Sequence, residues 1–440
     1  MTLFRPGDDE YPLFRLRSDG TVERLGHAVP QPGDTFQVHV TASRPNLICP
    51  PDGGDPGTFP DLPWYLDDLR PQGYLGRAYA RHHGHDFGMP LDPDRSEPRS
   101  LLRMLSRTGG TGQGDIIPGE TALQAALMSR EAPLDLVRAA TCQHSYPERA
   151  AAVMAGTLAC LGPGGEQPKF TATVEEDGQR DAVLVKFSRA AYGEAAERWA
   201  DLLVCEHLAL QCLRDAGIQA AASELIQTSD YTFLEVRRFD RTPNLLGRLG
   251  FVSLISLSSA FVGDVTADWG SAGEQLRALG WVTPETATRL AQLHAFGRLI
   301  GNTDMHQGNI GFHLADRGPL PLSLAYDMLP MSLAPSRTGV LRATSPMNPV
   351  APLRAGHIEH LHWVAPFVVD YWERVAVSPL LRSTVLRQVA GENARRVSAM
   401  GPAVRMIALR TRSPVARRAS GPLHFRATGA YSSTVRAEDS

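Results

Sequence analysis

Residues 301–310 read GNTDMHQGNI, and residues 324–330 read LAYDMLP. They place Asp304, then Asn309 five residues later, then Asp327 after a short strand-like run. Phosphoryl transfer from ATP needs a carboxylate that accepts a hydroxyl proton, together with amide and carboxylate oxygens that hold Mg²⁺. The three side chains fit these roles in that order, with Asp304 as the base and the other two as metal ligands.

His306 stands between the base and the amide. We interpret it as a brace for the catalytic loop and group it with Asp304 as a catalytic residue. The alternative interpretation of the whole stretch is a pair of ordinary turns, because Asn, Asp and Gly dominate turns for local hydrogen-bonding reasons.

Lysine is rare in this chain. Only Lys169 and Lys186 are lysines among its 44 basic residues. Lysine presents a compact ammonium on a narrow stem, whereas arginine presents a wide planar fork. A lysine in such an arginine-rich background therefore indicates a narrow site for a point charge.

A glycine-rich stretch, GPGGEQPKF at residues 162–170, ends close to the first lysine. Glycines such as Gly164 and Gly165 let backbone N–H groups approach phosphate oxygens. We therefore predict a loop over the phosphates that includes Lys169. A plain Gly/Pro turn is the alternative, because the stretch does not match the phosphate-loop pattern G-x-x-x-x-G-K-[ST].

Lys186 lies in the strand-like run DAVLVKF, where alternation sets it on one face of the strand. A strand lysine that follows a glycine-rich loop suits a clamp on the α- and β-phosphates of ATP. The alternative is a charge that protects an edge strand from aggregation.

Residues 196–217 form an amphipathic helical pattern with Glu206 in the middle of its apolar stripe. A buried carboxylate needs a cation, and the preceding strand offers Lys186. We predict the lysine–glutamate pair that positions ATP phosphates in protein kinases. The alternative is a Glu206 at the stripe edge that pairs with an arginine.

The run EVRRFD at residues 235–240 closes a strand. We predict that this segment, including Glu235 and Phe239, forms the hinge that meets adenine through backbone groups.

These motifs together resemble the HipA-type serine/threonine kinases of bacterial toxin–antitoxin systems, most of all their YjjJ-like branch. The resemblance rests on GGEQPKF, LVKF, CEHLAL, EVRRFDR, GNTDMHQGN and AYDMLPM in this order, and it covers about residues 60–395. It implies an α+β, two-lobed protein-kinase-like fold with ATP and Mg²⁺ as cofactors. The implied roles are catalytic base for Asp304, magnesium ligands for Asn309 and Asp327, ATP lysine for Lys186, helix glutamate for Glu206, and flexible phosphate loop for Gly165 and Lys169.

Two features depart from the family pattern. Family members often carry a serine in the flexible loop whose autophosphorylation silences the kinase, whereas the matching stretch here is CLGPGGEQ. Self-inactivation by that route is not expected. The chain also shows no DNA-reading helix near its start, so no sequence-specific DNA binding is expected.

The composition predicts a folded protein, with 43% hydrophobic and 21% charged residues. We divide it into a β-rich subdomain (1–118), a helical linker with the nucleotide lobe (119–240), an all-α lobe (241–400) and a disordered Arg-rich tail (401–440). The sequence Thr283-Pro284-Glu285 predicts a helix start, with a threonine cap and a proline in the first turn.

The absence of a membrane span and of a signal peptide favours a cytoplasmic location. The function that these patterns favour is phosphorylation of serine or threonine in a cellular protein such as a translation factor or aminoacyl-tRNA synthetase, by a toxin with an antitoxin partner. Two alternatives stay open, a small-molecule phosphotransferase of the aminoglycoside-kinase type and a non-catalytic nucleotide-binding regulator.

Overall fold

The chain is a mixed α+β protein, which confirms the predicted fold class. The computed structural model describes residues 10–33, 35–40, 57–90, 92–158, 167–336, 338–341, 344–348 and 358–411. None of the helices in these ranges combines the length and the apolar composition that crossing a bilayer requires.

The amino-terminal subdomain contains an antiparallel five-stranded sheet of order β4-β3-β2-β1-β5. Its strands are β1 (Tyr11–Leu16), β2 (Val22–Pro30), β3 (Phe36–Val40), β4 (Thr58–Phe59) and β5 (Ile116–Pro118). The helices that accompany it are α1 (Trp64–Asp67), α2 (Gly73–His83), α3 (Pro98–Thr108) and α4 (Glu120–Glu131). The subdomain predicted as β-rich therefore also contains three helices before residue 118.

A second five-stranded sheet forms the sheet lobe, with order β6-β7-β8-β10-β9. Its strands are β6 (Leu136–Arg138), β7 (Lys169–Glu176), β8 (Gln179–Ser188), β9 (Ser223–Gln227) and β10 (Thr232–Arg237). Helix α5 (Cys142–Met154) covers one face, where Tyr146 and Phe170 are fully buried. Helix α6 (Glu194–Asp215) covers the other face, where Leu203 meets Leu234. Strand alternation therefore turns one set of β8 side chains towards α5 and the other set towards α6.

The helical lobe consists of α7 (Leu254–Phe261), α8 (Trp269–Ala278), α9 (Pro284–Leu299), α10 (Ile358–Val377) and α11 (Thr384–Thr411). Helix α9 begins as predicted, with the Thr283 side chain accepting a hydrogen bond from the Thr286 N–H. Helix α10 is joined to α9 through Trp372, whose ring N–H donates to the Leu299 carbonyl oxygen at 3.2 Å.

The structure differs from the prediction at two places in this lobe. The lobe predicted to be all-α includes a two-stranded sheet of β11 (Val252–Ser253) and β12 (Gly311–Phe312). Helix α11 continues to Thr411, beyond the boundary at 400 where disorder was predicted, and the rest of that tail lies outside the described residues. Positions 401–411 include helix formers such as Met406 and Leu409, which extend the helical pattern of the preceding turns.

A buried carboxylate, Asp240, ties the amino-terminal subdomain to the end of β10. It accepts hydrogen bonds from the Gly114 N–H at 2.9 Å, from Arg238 at 2.8 Å and from Arg241 at 2.7 Å. Burial alone would raise the pKa of Asp240, but the two guanidinium groups outweigh it and hold that pKa far below its usual range. Asp240 is therefore ionised and joins two parts of the chain that are distant in sequence.

We predict that Asp240→Asn lowers the free energy of unfolding by about 3–5 kcal/mol, because it leaves buried guanidinium groups without a carboxylate. Urea unfolding measures the change. Glu392→Gln is the control, since it removes an exposed pair with Arg396 on α11 and should cost at most about 1 kcal/mol. Equal losses in the two variants would contradict the role of Asp240.

Candidate active site

One ammonium group meets two carboxylates between the lobes. Nζ of Lys186 lies 2.7 and 2.8 Å from the two carboxylate oxygens of Glu206 and 2.5 Å from Oδ1 of Asp327. The side chains of Lys186 and Glu206 are 6% and 1% exposed, and that of Asp327 is 25% exposed. The strand lysine and the helix glutamate thus pair as the sequence predicted, and the metal-loop aspartate joins them.

The electrostatics of this cluster keep the lysine charged. Burial would lower the pKa of Lys186, but the charges of Asp327 and Glu206 outweigh it and raise the pKa. Burial raises the pKa of Glu206. Burial acts in the same direction on Asp327, but Lys186 and Lys169 outweigh it and lower its pKa. Asp327 is therefore ionised at neutral pH.

Lys169 occupies a strand, whereas the sequence assigned it to the flexible loop. It is the first residue of β7, stands opposite Lys186 in the strand register and is 3% exposed. Its charge acts on both Glu206 and Asp327. The β-branched and aromatic residues that follow it favour strand over loop. Gly164 and Gly165, the predicted phosphate-loop glycines, lie outside the described residues.

The loop between α9 and β12 is held by an asparagine that the sequence analysis overlooked. Asn302 is 1% exposed, its Oδ1 accepts from the Asp304 N–H at 2.9 Å, and its Nδ2 donates to the Asp327 carbonyl oxygen at 3.3 Å. Nδ2 of Asn309 donates to the Asp304 carbonyl oxygen at 2.9 Å. The loop backbone is therefore fixed while the Asp304 carboxylate remains half exposed. The signal in the sequence was the position of Asn302, a polar residue directly before Thr303 and Asp304.

His306 acts within the loop as the sequence predicted for a brace. Its Nδ1 accepts from the Gly308 N–H at 3.1 Å, and its carbonyl oxygen accepts from the Trp269 ring N–H at 3.1 Å. Because Nδ1 is an acceptor, the neutral ring carries its proton on Nε2, which lies 3.9 Å from Oδ1 of Asp304. His306 therefore holds the loop, and its Nε2 lies near the Asp304 carboxylate but beyond hydrogen-bond distance.

Asp327 is held in an unusual backbone conformation. Its φ is +57°, a left-handed value that is uncommon for residues other than glycine. The hydroxyl of the preceding Tyr326 donates to the Gly308 carbonyl oxygen at 3.0 Å and so links the two loops. Together with the Asn302 bond, this places Asp327 beside the loop of Asp304.

The hinge prediction concerned backbone groups, and the structure adds where the side chains of this segment lie. Glu235 points to the opposite face of the sheet, where it accepts a hydrogen bond from the Tyr146 hydroxyl. Strand alternation places Val236 in the cleft and Glu235 in a groove on the other side, and Phe239, which follows the end of β10, also lines the cleft.

The cleft between the lobes brings most of these groups together, but Asp304 is not among the residues that line it. Leu184 and Lys186 of β8 line it from the sheet lobe, and Asn309, Tyr326 and Asp327 line it from the helical lobe. The amino-terminal subdomain also contributes a wall, which the sequence analysis did not predict. That wall consists of Asp68, Arg70, Gln72 and Gln113.

Comparisons with known proteins agree with this architecture. The family model of the HipA-like C-terminal domain matches residues 161–380, and that of the YjjJ-like toxin middle domain matches residues 7–127. The chain is 35% identical over 378 residues to Toxin YjjJ of Escherichia coli (strain K12). The matched region covers 83% of this chain and 82% of that protein.

Two solved structures are also similar. One is HipA of the Shewanella oneidensis MR-1 toxin–antitoxin system, in its complex with HipB and operator DNA, with 16% identity, a TM-score of 0.46 and coverage of 90% of this chain and 91% of that chain. The other is the Helicobacter pylori proinflammatory kinase CtkA, with 10% identity, a TM-score of 0.38 and coverage of 54% and 95%.

A sheet lobe and a helical lobe with a charged cleft between them define a protein of the two-lobed kinase-like class. The chain belongs to the HipA-like toxin family, in its YjjJ-like branch. The resemblance drawn from the motifs is thereby confirmed.

Asp68 gives a pH-dependent test of the cleft wall. Burial raises the pKa of Asp68 to about 6, above the value of about 3.9 in an unfolded chain. Between these values the folded protein holds the extra proton, so stability falls as the pH rises through this window. Asp68→Asn removes the titration and keeps an oxygen for the Ser253 N–H. We expect the free energy of unfolding of Asp68→Asn to exceed that of wild type by at most about 3 kcal/mol above about pH 6. Below about pH 4 the variant should gain nothing.

The measurement is the unfolding free energy of both proteins across this pH range. Asp61→Asn is the matched control, because that neighbouring carboxylate is 53% exposed and should show no such pH-dependent gain. Parallel stability curves for wild type and Asp68→Asn would contradict a half-buried, proton-binding Asp68.

Proposed function

We propose that this protein transfers the γ-phosphate of ATP to a serine or threonine hydroxyl of a protein. The observation that carries the proposal is the contact of Lys186 with both Glu206 and Asp327, in the same cleft as Asn309. Phosphoryl transfer uses this set because catalysis consists of positioning and charge stabilisation. Membership of the HipA-like toxin family supports a kinase rather than an unrelated nucleotide-binding protein.

The donor set suits magnesium. Nδ2 of Asn309 is engaged by the Asp304 carbonyl oxygen, so the amide oxygen is the atom that would serve as a ligand. The ionised carboxylate of Asp327 is the second ligand, and oxygen donors are what Mg²⁺ prefers. When bound, the metal would neutralise charge on the phosphates.

The two lysines would contact the phosphates of ATP. Lys186 is fixed by Glu206, so its ammonium is oriented before the nucleotide enters. Lys169 lies beside it in the strand register and adds a second positive charge at the same place. We expect Asp327 to exchange its contact with Lys186 for the metal, because one carboxylate oxygen cannot serve both at full strength.

Asp304 would act as the base. Its carboxylate accepts the proton of the acceptor hydroxyl, while the hydroxyl oxygen forms a bond to the γ-phosphorus and the bond from phosphorus to the β–γ bridging oxygen breaks. The products are the phosphorylated residue and ADP, with the proton on Asp304. The exposed position of this carboxylate suits an acceptor that arrives from solvent, such as a protein chain.

The wider biological role follows from the family. We infer a toxin that acts on a cellular protein such as a translation factor or an aminoacyl-tRNA synthetase, and an antitoxin protein as its partner. We place this activity in the cytoplasm, with sequence-specific DNA binding left to the partner.

We predict that Asp304→Asn lowers phosphoryl transfer by about 10²–10⁴, the usual contribution of a positioned base, with nucleotide affinity kept. Lysate treated with phosphatase and then incubated with labelled ATP measures transfer, and calorimetry measures binding. Asp264→Asn is the control, because that carboxylate caps a neighbouring turn through the Thr266 and Ala267 N–H groups.

Three outcomes would contradict the proposal. Transfer by Asp304→Asn at the wild-type rate would remove the base from its role. Labelling of small molecules without labelled protein bands would favour a small-molecule phosphotransferase. Binding of Mg–ATP by wild type without any turnover would favour a nucleotide-binding regulator.

A further inference from the structure

A second pocket lies between the amino-terminal subdomain and the sheet lobe, on the other side of Arg238 from the cleft. It encloses about 330 Å³. We name it the arginine pocket because, among the described residues, it is lined by five arginines and one carboxylate. These are Arg130, Arg149, Arg238, Arg241, Arg248 and Asp135.

The nearby carboxylates do not balance these charges, because Asp115, whose charge acts on Arg248, is already paired with Arg15. Asp135 accepts from the Thr173 hydroxyl at 2.9 Å. Asp240 is shared between Arg238 and Arg241. Arg248 is 6% exposed, and its guanidinium donates to the Gly110 carbonyl oxygen. No ion pair joins it to a carboxylate within the part of the chain that the structure describes.

The two arginines nearer the surface also donate to carbonyl oxygens. Nη1 of Arg130 donates to the Gly20 carbonyl oxygen at 3.1 Å and to that of Leu246 at 3.2 Å. Nη2 of Arg149 donates to the Leu136 carbonyl oxygen at 3.5 Å. Neutral carbonyl groups satisfy these donors but do not cancel the charge. The cost of a buried charge without an opposite charge falls on Arg248, since Arg130 and Arg149 are half-buried.

The cluster is therefore under mutual repulsion. Burial and the neighbouring charge of Arg238 lower the pKa of Arg248 to about 10. Burial and the charges of Arg238 and Arg248 likewise lower the pKa of Arg241. An anion in the pocket would relieve this repulsion. The hydroxyl groups of Ser129 and Thr171 line the same pocket and can donate to such an anion.

We propose that the arginine pocket binds a small phosphate-bearing anion. The planar fork of a guanidinium group can donate to two oxygens of a phosphate at once, which other cationic side chains do not match. The enclosed volume accepts one phosphate group with its immediate substituent. Arg238 lines both the pocket and the cleft, so an occupant would touch the wall of the nucleotide site.

The first test uses inorganic phosphate as the probe and the thermal unfolding midpoint as the readout. Phosphate also stabilises proteins by general exclusion from their surface, so the comparison between variants is decisive. Arg130→Gln/Arg149→Gln removes two pocket charges that donate to carbonyl groups, and leaves the buried Arg248 in place. Arg277→Gln, on α8 and paired with Glu274, is the matched control. Lys186→Met/Glu206→Gln removes the cation of the cleft together with its buried partner.

We expect phosphate to raise the midpoint equally in wild type, Arg277→Gln and Lys186→Met/Glu206→Gln. In Arg130→Gln/Arg149→Gln the apparent dissociation constant for phosphate should be higher by about tenfold or more. Equal shifts in all variants would show general exclusion alone and overturn the proposal. Loss of the shift only in the cleft variant would place the anion in the cleft and also overturn it, without affecting the proposed kinase activity.

A second variant supplies the missing negative charge from the protein itself. Ser129→Glu puts a carboxylate into the pocket from α4, whereas Gln124→Glu puts one on an exposed position of the same helix. A glutamate near a helix carboxyl end is ordinarily unfavourable. We nevertheless expect Ser129→Glu to raise the unfolding midpoint and to abolish the phosphate response. A lower midpoint with an unchanged phosphate response would overturn the proposal.

Discussion

The contact of one ammonium group with two carboxylates is the constraint on which the rest of the site depends. Lys186 comes from a strand, Glu206 from the helix behind that strand, and Asp327 from a loop of the other lobe. None of the three can be buried alone without a large desolvation cost. The contact therefore fixes the sheet, the helix and the loop relative to one another, and this relation creates the cleft.

Two further polar contacts give the cleft its shape. Asn302 joins the backbone of Asp304 to that of Asp327, so the two loops are held together by one buried side chain. Asp240 binds arginines at the end of β10 and a glycine N–H from the amino-terminal subdomain. That subdomain consequently forms part of the cleft wall, and the arginine pocket lies directly behind it. Buried polar contacts thus position every side of the site.

The sequence was informative where chemistry is local. The spacing of Asp304, Asn309 and Asp327 and the periodicity around Glu206 predicted groups that the structure places close together, because loop length and helix period limit their geometry. The contribution of Asp68 was not predictable, since it approaches the cleft from a distant part of the chain. The side-chain contact of Glu235 with Tyr146 was not predicted, because strand alternation was applied to the lysine strand but not to its neighbour.

The account can be tested most directly by asking whether Lys186 and Glu206 act as one unit on the nucleotide. The measurement is the Mg–ATP dissociation constant of Lys186→Met, of Glu206→Gln and of the double variant. If Glu206 acts only by holding the lysine, the double variant should bind no more weakly than Lys186→Met alone. Additive losses in binding free energy would contradict the account, because they would mean that the two groups act independently.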